Sequence, residues 1–266
     1  MAYEHALAYV LGLEGAALLR AFAGEHDRAF TEARIEEIRK ILEDGTIGAA
    51  GVDVDHVDVA EGYGIWAADY DRPDNPAFDY DGSIVRAVAG SVLAGVALDV
   101  ACGTGRVASL LADCGHAVIG VDQMPEMLDI ARKRLPDGDF RIGTIDRVPV
   151  GDSAVDIATC SLALSHVADL RPAFAEFARV LRPGGHLVVA DVHPEQVART
   201  HVPTVHRADG TPARVRSYQH RTGDYLRAAL SAGFEPRSCE EPVAAAAANS
   251  GVPMMILWHF TRQGGR

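Results

Sequence analysis

Apolar positions follow three successive patterns along the chain. Within residues 3–44 they recur at helical spacing, with Ile35, Ile38, Ile41 and Leu42 in one stripe and Glu36 four residues before Lys40. This predicts two helices, the second capped by Asp27 or Thr31 and ended by Gly45. Residues 45–58, rich in Gly, Asp and Val, read as a linker. From Val96 to Val192 short apolar runs alternate with helical stretches. The runs Val96–Ala101, Ala117–Val121, Phe140–Gly143, Val155–Cys160 and His186–Val192 predict strands. Arg106–Cys114, Pro125–Leu135 and Pro172–Leu181 predict helices, and Pro125 suits a first helical turn. That alternation implies βαβ units, a parallel sheet and right-handed crossovers. Beyond Pro194 a polar stretch leads to a helix near Gly223–Ser231. Two further strands, Phe234–Cys239 and Met254–Thr261, would close one sheet edge as a hairpin. The alanine run Ala244–Ala248 is too short to define anything.

The length of 266 residues allows one or two domains and a sizeable core. With 25 Lys and Arg against 37 Asp and Glu, the net charge of −12 argues against a nucleic-acid partner. No apolar run approaches the ~18–20 residues of a membrane span, and no secretory signal is expected. Cys102, Cys114, Cys160 and Cys239 lie far apart with no C-x-x-C pair, so neither a disulfide framework nor a metal site is expected. These readings predict a cytoplasmic protein with no membrane contact.

The informative segment is Leu98-Asp99-Val100-Ala101-Cys102-Gly103-Thr104-Gly105-Arg106, an apolar strand that turns through two glycines into a helix. Such a turn lets a ligand approach the backbone beside unpaired helical N–H groups, although one glycine loop alone is equally a plain strand–helix turn. The next strand ends in Asp122, 17 residues after Gly105. A carboxylate there can accept hydrogen bonds from both hydroxyls of a ribose, so the pair points to a nucleoside-containing cofactor at the carboxyl edge of the sheet.

From about Tyr63 to Thr261 the chain resembles class I S-adenosylmethionine-dependent methyltransferases, in the ubiquinone/menaquinone-methyltransferase-like group. The resemblance rests on LDVACGTGR at 98–106, GVD at 120–122, PEMLDIAR at 125–132, the segment 148–167, and RVLRPGGHLVVAD at 179–191. It implies a Rossmann-like, doubly wound α/β fold with a seven-stranded, mostly parallel sheet. Residues 1–58 would be a helical cap or dimerisation segment, 59–266 the cofactor-binding domain, and 194–222 an insertion over the acceptor. The cofactor would be S-adenosyl-L-methionine. Asp99, Ala101, Gly103 and Gly105 would shape the pocket for its methionine half, and Ala101 stands where a glycine is common. Asp122 would bind the ribose, with Gln123 and Met124 beside it and Met124 against the adenine. Thr144 and Ile145 stand where the family usually has an acid for the adenine amino group; neighbouring backbone or Asp146 would replace that contact. Cys160 and Leu162 would lie beside the sulfonium.

For an O–H nucleophile a base helps, and His166 and His193 both fall at the carboxyl edge. His166 is also read as a residue that simply caps a helix or holds a loop. The aromatics Tyr63, Trp66 and Tyr70 lie close together just before the core, where the resemblance implies a lid, with Tyr70 over the cofactor and Tyr63 or Trp66 toward the acceptor; the alternative is that they merely pack this segment onto the core. His220 is a weaker acceptor-side candidate. Arg199, Arg207, Arg214, Arg216 and Arg221, with His201 and His206, would suit an anionic acceptor or, more simply, a solvated loop. The expected function is methyl transfer to a small molecule, with O-methylation slightly ahead of N- or C-methylation, and the resemblance implies bacterial natural-product tailoring. Rival readings are a non-methylating reaction such as cyclisation, a non-catalytic binding or scaffold protein, and a nicotinamide oxidoreductase. Intact Asp99, Gly103, Gly105 and Asp122 argue against the scaffold, and Leu-Arg-Pro-Gly-Gly at 181–185 against the oxidoreductase.

Overall fold

The computed structural model describes residues 1–45, 47, 51–67, 70–71, 77–199, 203–243 and 252–264. The alanine run at 244–248 and His201 lie outside them. The chain divides into two compact units, Met1–His56 with His206–Arg214, and Val57–Val205 with Val215–Arg266.

The first unit holds β1 (Ala2–Glu4), α1 (Ala6–Phe22), α2 (Arg28–Glu43) and most of β2 (Val52–Val57). Asp27 caps α2, its carboxylate accepting from Phe30 N at 2.8 Å, which satisfies one of the helix's unpaired donors. The helix stops at Glu43, two residues before Gly45. Arg34 on α2 donates to Glu14 on α1 at 3.2 Å, so the two predicted helices pack as a hairpin. The linker reading of 45–58 is corrected at its end. Val52–Val57 pairs antiparallel with β1, with Ala2 opposite Val54. The Val-Asp-Val-Asp alternation there has the period of a strand and buries Val54.

The second unit opens with α3 (Val59–Trp66) and α4 (Ala77–Ala89). The alternating core follows: β3 (Val96–Val100), α5 (Arg106–Asp113), β4 (Ala117–Asp122), α6 (Pro125–Arg134), β5 (Asp139–Ile142) and β6 (Val155–Ser161). A short 3₁₀ turn at Leu164–His166 leads to α7 (Leu170–Val180), β7 (Leu181–Val192) and α8 (Pro194–Ala198). After β8 (Thr204–His206) and β9 (Pro212–Val215) come α9 (Thr222–Ser231), β10 (Phe234–Glu240) and β11 (Met255–Arg262). The main sheet runs β10-β11-β7-β6-β3-β4-β5, and a smaller one runs β1-β2-β9-β8. Strands β7 through β5 are parallel, while β11 and β10 close the edge as the expected antiparallel hairpin. The seven-stranded, mostly parallel doubly wound sheet is therefore present.

Alternation along β3 explains the two apolar layers. Leu98 faces a cluster with Phe174, Phe177, Phe234 and Phe260, and Ala97 faces another with Val107, Leu111 and Leu128. In the Leu-Arg-Pro-Gly-Gly segment, Val155 pairs with Leu181 and Ile157 with His186, so 182–185 loop out at the strand's start. Among the described residues no helix is long and apolar enough to cross a membrane.

Candidate active site

The β3 strand ends in a turn with three positive φ values: 56° at Ala101, 51° at Gly103 and 79° at Gly105. The two glycines serve different ends. A Cβ on Gly105 would lie 3.0 Å from the Cβ of Ala131, so this residue lets α5 pack against α6. A Cβ on Gly103 would meet nothing within 4 Å, and Gly103 lines a cavity of about 690 Å³. Asp122 at the tip of β4 closes this corner. Its two oxygens accept from Gly103 N at 2.8 Å and Met124 N at 2.9 Å, and its carboxylate also lines the cavity. Burial raises its pKa, opposed by these backbone N–H groups.

Ala101, Gln123, Met124, Thr144, Ile145 and Leu162 share the same lining. Where the family acid is missing, Thr144 Oγ1 donates to Asp146 at 2.7 Å, and both residues face the cavity. Leu162 adopts a φ of 56°, and its N–H donates to Ala190 O at 2.8 Å.

On the opposite wall, α3 carries Tyr63 and the 3₁₀ turn carries His166. The Tyr63 hydroxyl lies 3.1 Å from His166 Nε2, and His166 Nδ1 lies 2.8 Å from Arg216 O. A carbonyl only accepts, so Nδ1 bears the hydrogen; in the neutral ring Nε2 is then the acceptor for Tyr63. Tyr63 is also 3.4 Å from Leu162 O, a second acceptor for the same hydrogen. Burial, followed by the charges of Tyr70 and Asp191, holds the Tyr63 phenol well above its ordinary value, so it stays a donor. Tyr70, packed 5.7 Å from Tyr63, also faces the cavity, and burial pushes its phenol to about 12. Asp71 beside it ties this segment to the glycine loop, accepting from Thr104 Oγ1 at 2.8 Å and from Arg134 at 2.5 Å.

The remaining predicted residues lie outside this lining. Asp99 is 1% exposed beneath the loop; one oxygen accepts from Thr159 at 2.7 Å and the other has no partner. Burial, opposed by Thr159 and Arg106, raises its carboxyl to about 7. Cys160 is buried in the core, and Trp66 packs edge-on against Tyr63 at 5.3 Å. His193 caps α8, accepting from Glu195 N at 3.1 Å, and its other nitrogen meets Glu241 at 2.9 Å. His220 donates to Val167 O at 2.6 Å and packs on Tyr225. Of the arginines, Arg199 pairs with Glu195, Arg207 with Asp55 and Arg214 with Glu4, which is the solvated-loop reading for these three. No Lys or Arg is among the described residues that line the cavity, whereas Asp58, Asp146 and Asp169 are.

Sequence reasoning missed Asp58, Ser161 and Asp81. Asp58 caps α3, accepting from Glu61 N at 2.8 Å, and its Asp-x-x-Glu spacing is a capping signal. Fully buried Asp81 accepts from Arg106 at 2.9 Å and from Ser161 Oγ at 2.5 Å, and the Arg106 guanidinium sits 4.3 Å above Phe78. No local signal marks that pair. Among the described residues no group of three or more His, Cys, Asp or Glu is placed to hold a metal.

Residues 98–189 match the family described as the methyltransferase domain. A demethylmenaquinone methyltransferase of Renibacterium salmoninarum is 42% identical over 98 residues, covering 36% of this chain and 41% of that protein. A malonyl-[acyl-carrier protein] O-methyltransferase of Serratia marcescens is 42% identical over 88 residues, covering 33% and 34%. The matched segment thus spans well under half the length of these relatives. Among solved structures, an S-adenosylmethionine-dependent methyltransferase from Mesorhizobium loti superposes with a TM-score of 0.55 at 24% identity, covering 70% of this chain and all of that one. A TehB-like methyltransferase from Corynebacterium glutamicum gives 0.51 at 20%, covering 69% and 88%. The chain shares the fold of the S-adenosylmethionine-dependent methyltransferases on which it superposes, and its segment 98–189 matches the methyltransferase domain family.

Proposed function

We propose that this protein transfers a methyl group from S-adenosylmethionine to a small-molecule acceptor, with oxygen as the favoured nucleophile. The observation that carries the reading is one cavity joining the Gly103–Asp122 corner to the Tyr63–His166 pair. The residues fit the cofactor on three counts. Gly103 leaves its Cβ side open, the Asp122 carboxylate faces the cavity as an acceptor, and Met124 and Ile145 offer apolar surface for a base. When bound, S-adenosylmethionine supplies a methyl group on a positively charged sulfur. Asp122 would accept from the ribose hydroxyls, and the Thr144–Asp146 pair would meet the adenine edge.

At the acceptor end, His166 Nε2 is the base. Tyr63 turns its hydrogen to Leu162 O, which frees Nε2 to take the proton of an acceptor hydroxyl. Tyr70 and Asp71 hold the segment at this wall and exclude water. With Asp58 and Asp146 on the wall, Asp169 there paired with Arg171 at 2.7 Å, and no Lys or Arg among the described lining residues, the acceptor is uncharged or cationic. The O-methyltransferase among the similar proteins supports oxygen. That the reaction belongs to bacterial secondary metabolism and runs in the cytoplasm is part of the same proposal.

Calorimetric titration with S-adenosylmethionine and S-adenosylhomocysteine tests the cofactor. Micromolar binding that is lost in Asp122→Ala is expected. Folded protein that binds NADH and neither adenosyl ligand would overturn the reading. An acceptor screen following S-adenosylhomocysteine release then tests the reaction, and cofactor binding with no methylated product from hydroxyl-bearing acceptors counts against oxygen.

A further inference from the structure

A second cavity, of about 780 Å³, opens at the end of the main sheet where the parallel strands begin, away from Asp122. Its described lining includes His186 on β7, Glu235 and Arg237 on β10, and His259, Thr261 and Arg262 on β11. The register explains why these side chains meet. His186 pairs with Thr261 and Val188 with His259, so the two imidazoles share one face of the sheet. The β10–β11 register shifts between Pro236 and Ser238, a bulge at Arg237, and Arg237 Nε donates to Thr261 Oγ1 at 2.8 Å. The imidazoles stack with centroids 5.2 Å apart, and His186 Nδ1 lies 2.9 Å from His259 Nε2.

The hydrogen-bond inventory of this cavity has a surplus of donors. Of the two facing nitrogens, one carries a hydrogen and one a lone pair. Two neutral rings therefore leave one outer N–H and one bare outer nitrogen. Arg237 adds guanidinium N–H groups beyond the one given to Thr261. Arg262 adds a second positive charge, although its Nη1 is engaged by Ser153 Oγ at 3.0 Å and by Leu181 O. The one acid in the described lining, Glu235, meets Arg237 at 3.1 Å with both side chains half exposed. Burial, His186 and Arg237 together push His259 down to about 4, and burial and Arg237 lower His186, so the pair is neutral without a ligand.

We propose that this cavity binds a small phosphoryl-type oxyanion, held by the Arg237 guanidinium and the His186–His259 pair. A tetrahedral oxyanion presents oxygens to the guanidinium and to both rings at once, which a two-oxygen carboxylate matches less well. Its negative charge offsets that of Arg237 and draws one proton from solvent onto the pair. The outer nitrogens of both rings are then N–H donors, and the shared hydrogen bond is kept.

The test is calorimetry with inorganic phosphate and with sulfate, in buffers of different ionisation heat. Sulfate does not titrate near neutrality, so proton uptake with sulfate reports the imidazoles. Expected are saturable binding of both ions, net proton uptake on binding sulfate, and tighter sulfate binding as pH falls from about 8 to 6. Arg237→Gln should weaken binding by about tenfold or more, and His259→Gln should abolish the uptake. Unfolding midpoints of both variants are measured to show that each is folded. Absence of saturable binding, binding unchanged in folded Arg237→Gln, absence of proton uptake with sulfate, or competition by S-adenosylhomocysteine would each overturn the proposal.

Discussion

Tyr63 and His166, 103 positions apart in sequence, meet through a 3.1 Å contact between the phenol oxygen and Nε2, and the carbonyl of Arg216 fixes the ring's tautomer from the other side. The lone pair that a base needs is thereby aimed at Tyr63 and the cavity.

This predicts a split between two substitutions. His166→Gln should lower the rate of methyl transfer by about 10²–10⁴-fold while S-adenosylhomocysteine affinity stays within a few fold. Tyr63→Phe keeps the ring and loses the donor, so its loss should be smaller. Steady-state rates and calorimetry on the same preparations measure both. Equal loss of cofactor affinity in His166→Gln would move this residue from base to scaffold.

Gly103 and Gly105 should respond differently to alanine. Gly105→Ala strains a φ of 79° and drives a Cβ to 3.0 Å from Ala131, which should cost about 2–4 kcal/mol of stability. Gly103→Ala has open space around its Cβ and should cost about 1–2 kcal/mol from its φ of 51° alone, with a larger loss of cofactor affinity. Urea unfolding and ligand titration separate the two effects.

Asp99 should make stability fall as pH rises. Its carboxyl is raised from 3.8 to about 7 in the folded chain, so the folded state holds a proton that the unfolded state has released. The stabilisation is complete below the unfolded pKa and is lost as pH climbs through the folded one. Asp99→Asn removes this titration. The difference in urea midpoint between the variant and the parent should therefore move in the variant's favour between about pH 4 and 7. A constant difference across that range would mean that Asp99 is not protonated in the fold.

His193→Ala should leave cofactor affinity and turnover unchanged. Its imidazole caps α8 and meets Glu241, outside the cavity lining. A stability loss of about 1 kcal/mol is expected from the lost cap, measurable by thermal unfolding. A drop in turnover without a drop in stability would return His193 to the list of bases.

The residues themselves determined the alternation of strands and helices, the glycine turn after β3 and the acid at the tip of β4. These depend on rules that act over a few positions: side-chain periodicity, the φ that glycine permits, and caps such as Asp27. The same kind of signal is present in the Val-Asp alternation of β2 and in the Asp58 cap. Packing alone decided the rest. Two histidines at the same sheet edge, His166 and His193, diverge because one sits on a turn facing α3 and the other is consumed as a cap. Asp81 meets Arg106 and Ser161 across 25 and 80 residues, and Gly105 serves a helix contact rather than the cavity. Such pairings depend on where distant elements come to rest, which the spacing of residues along one segment does not encode.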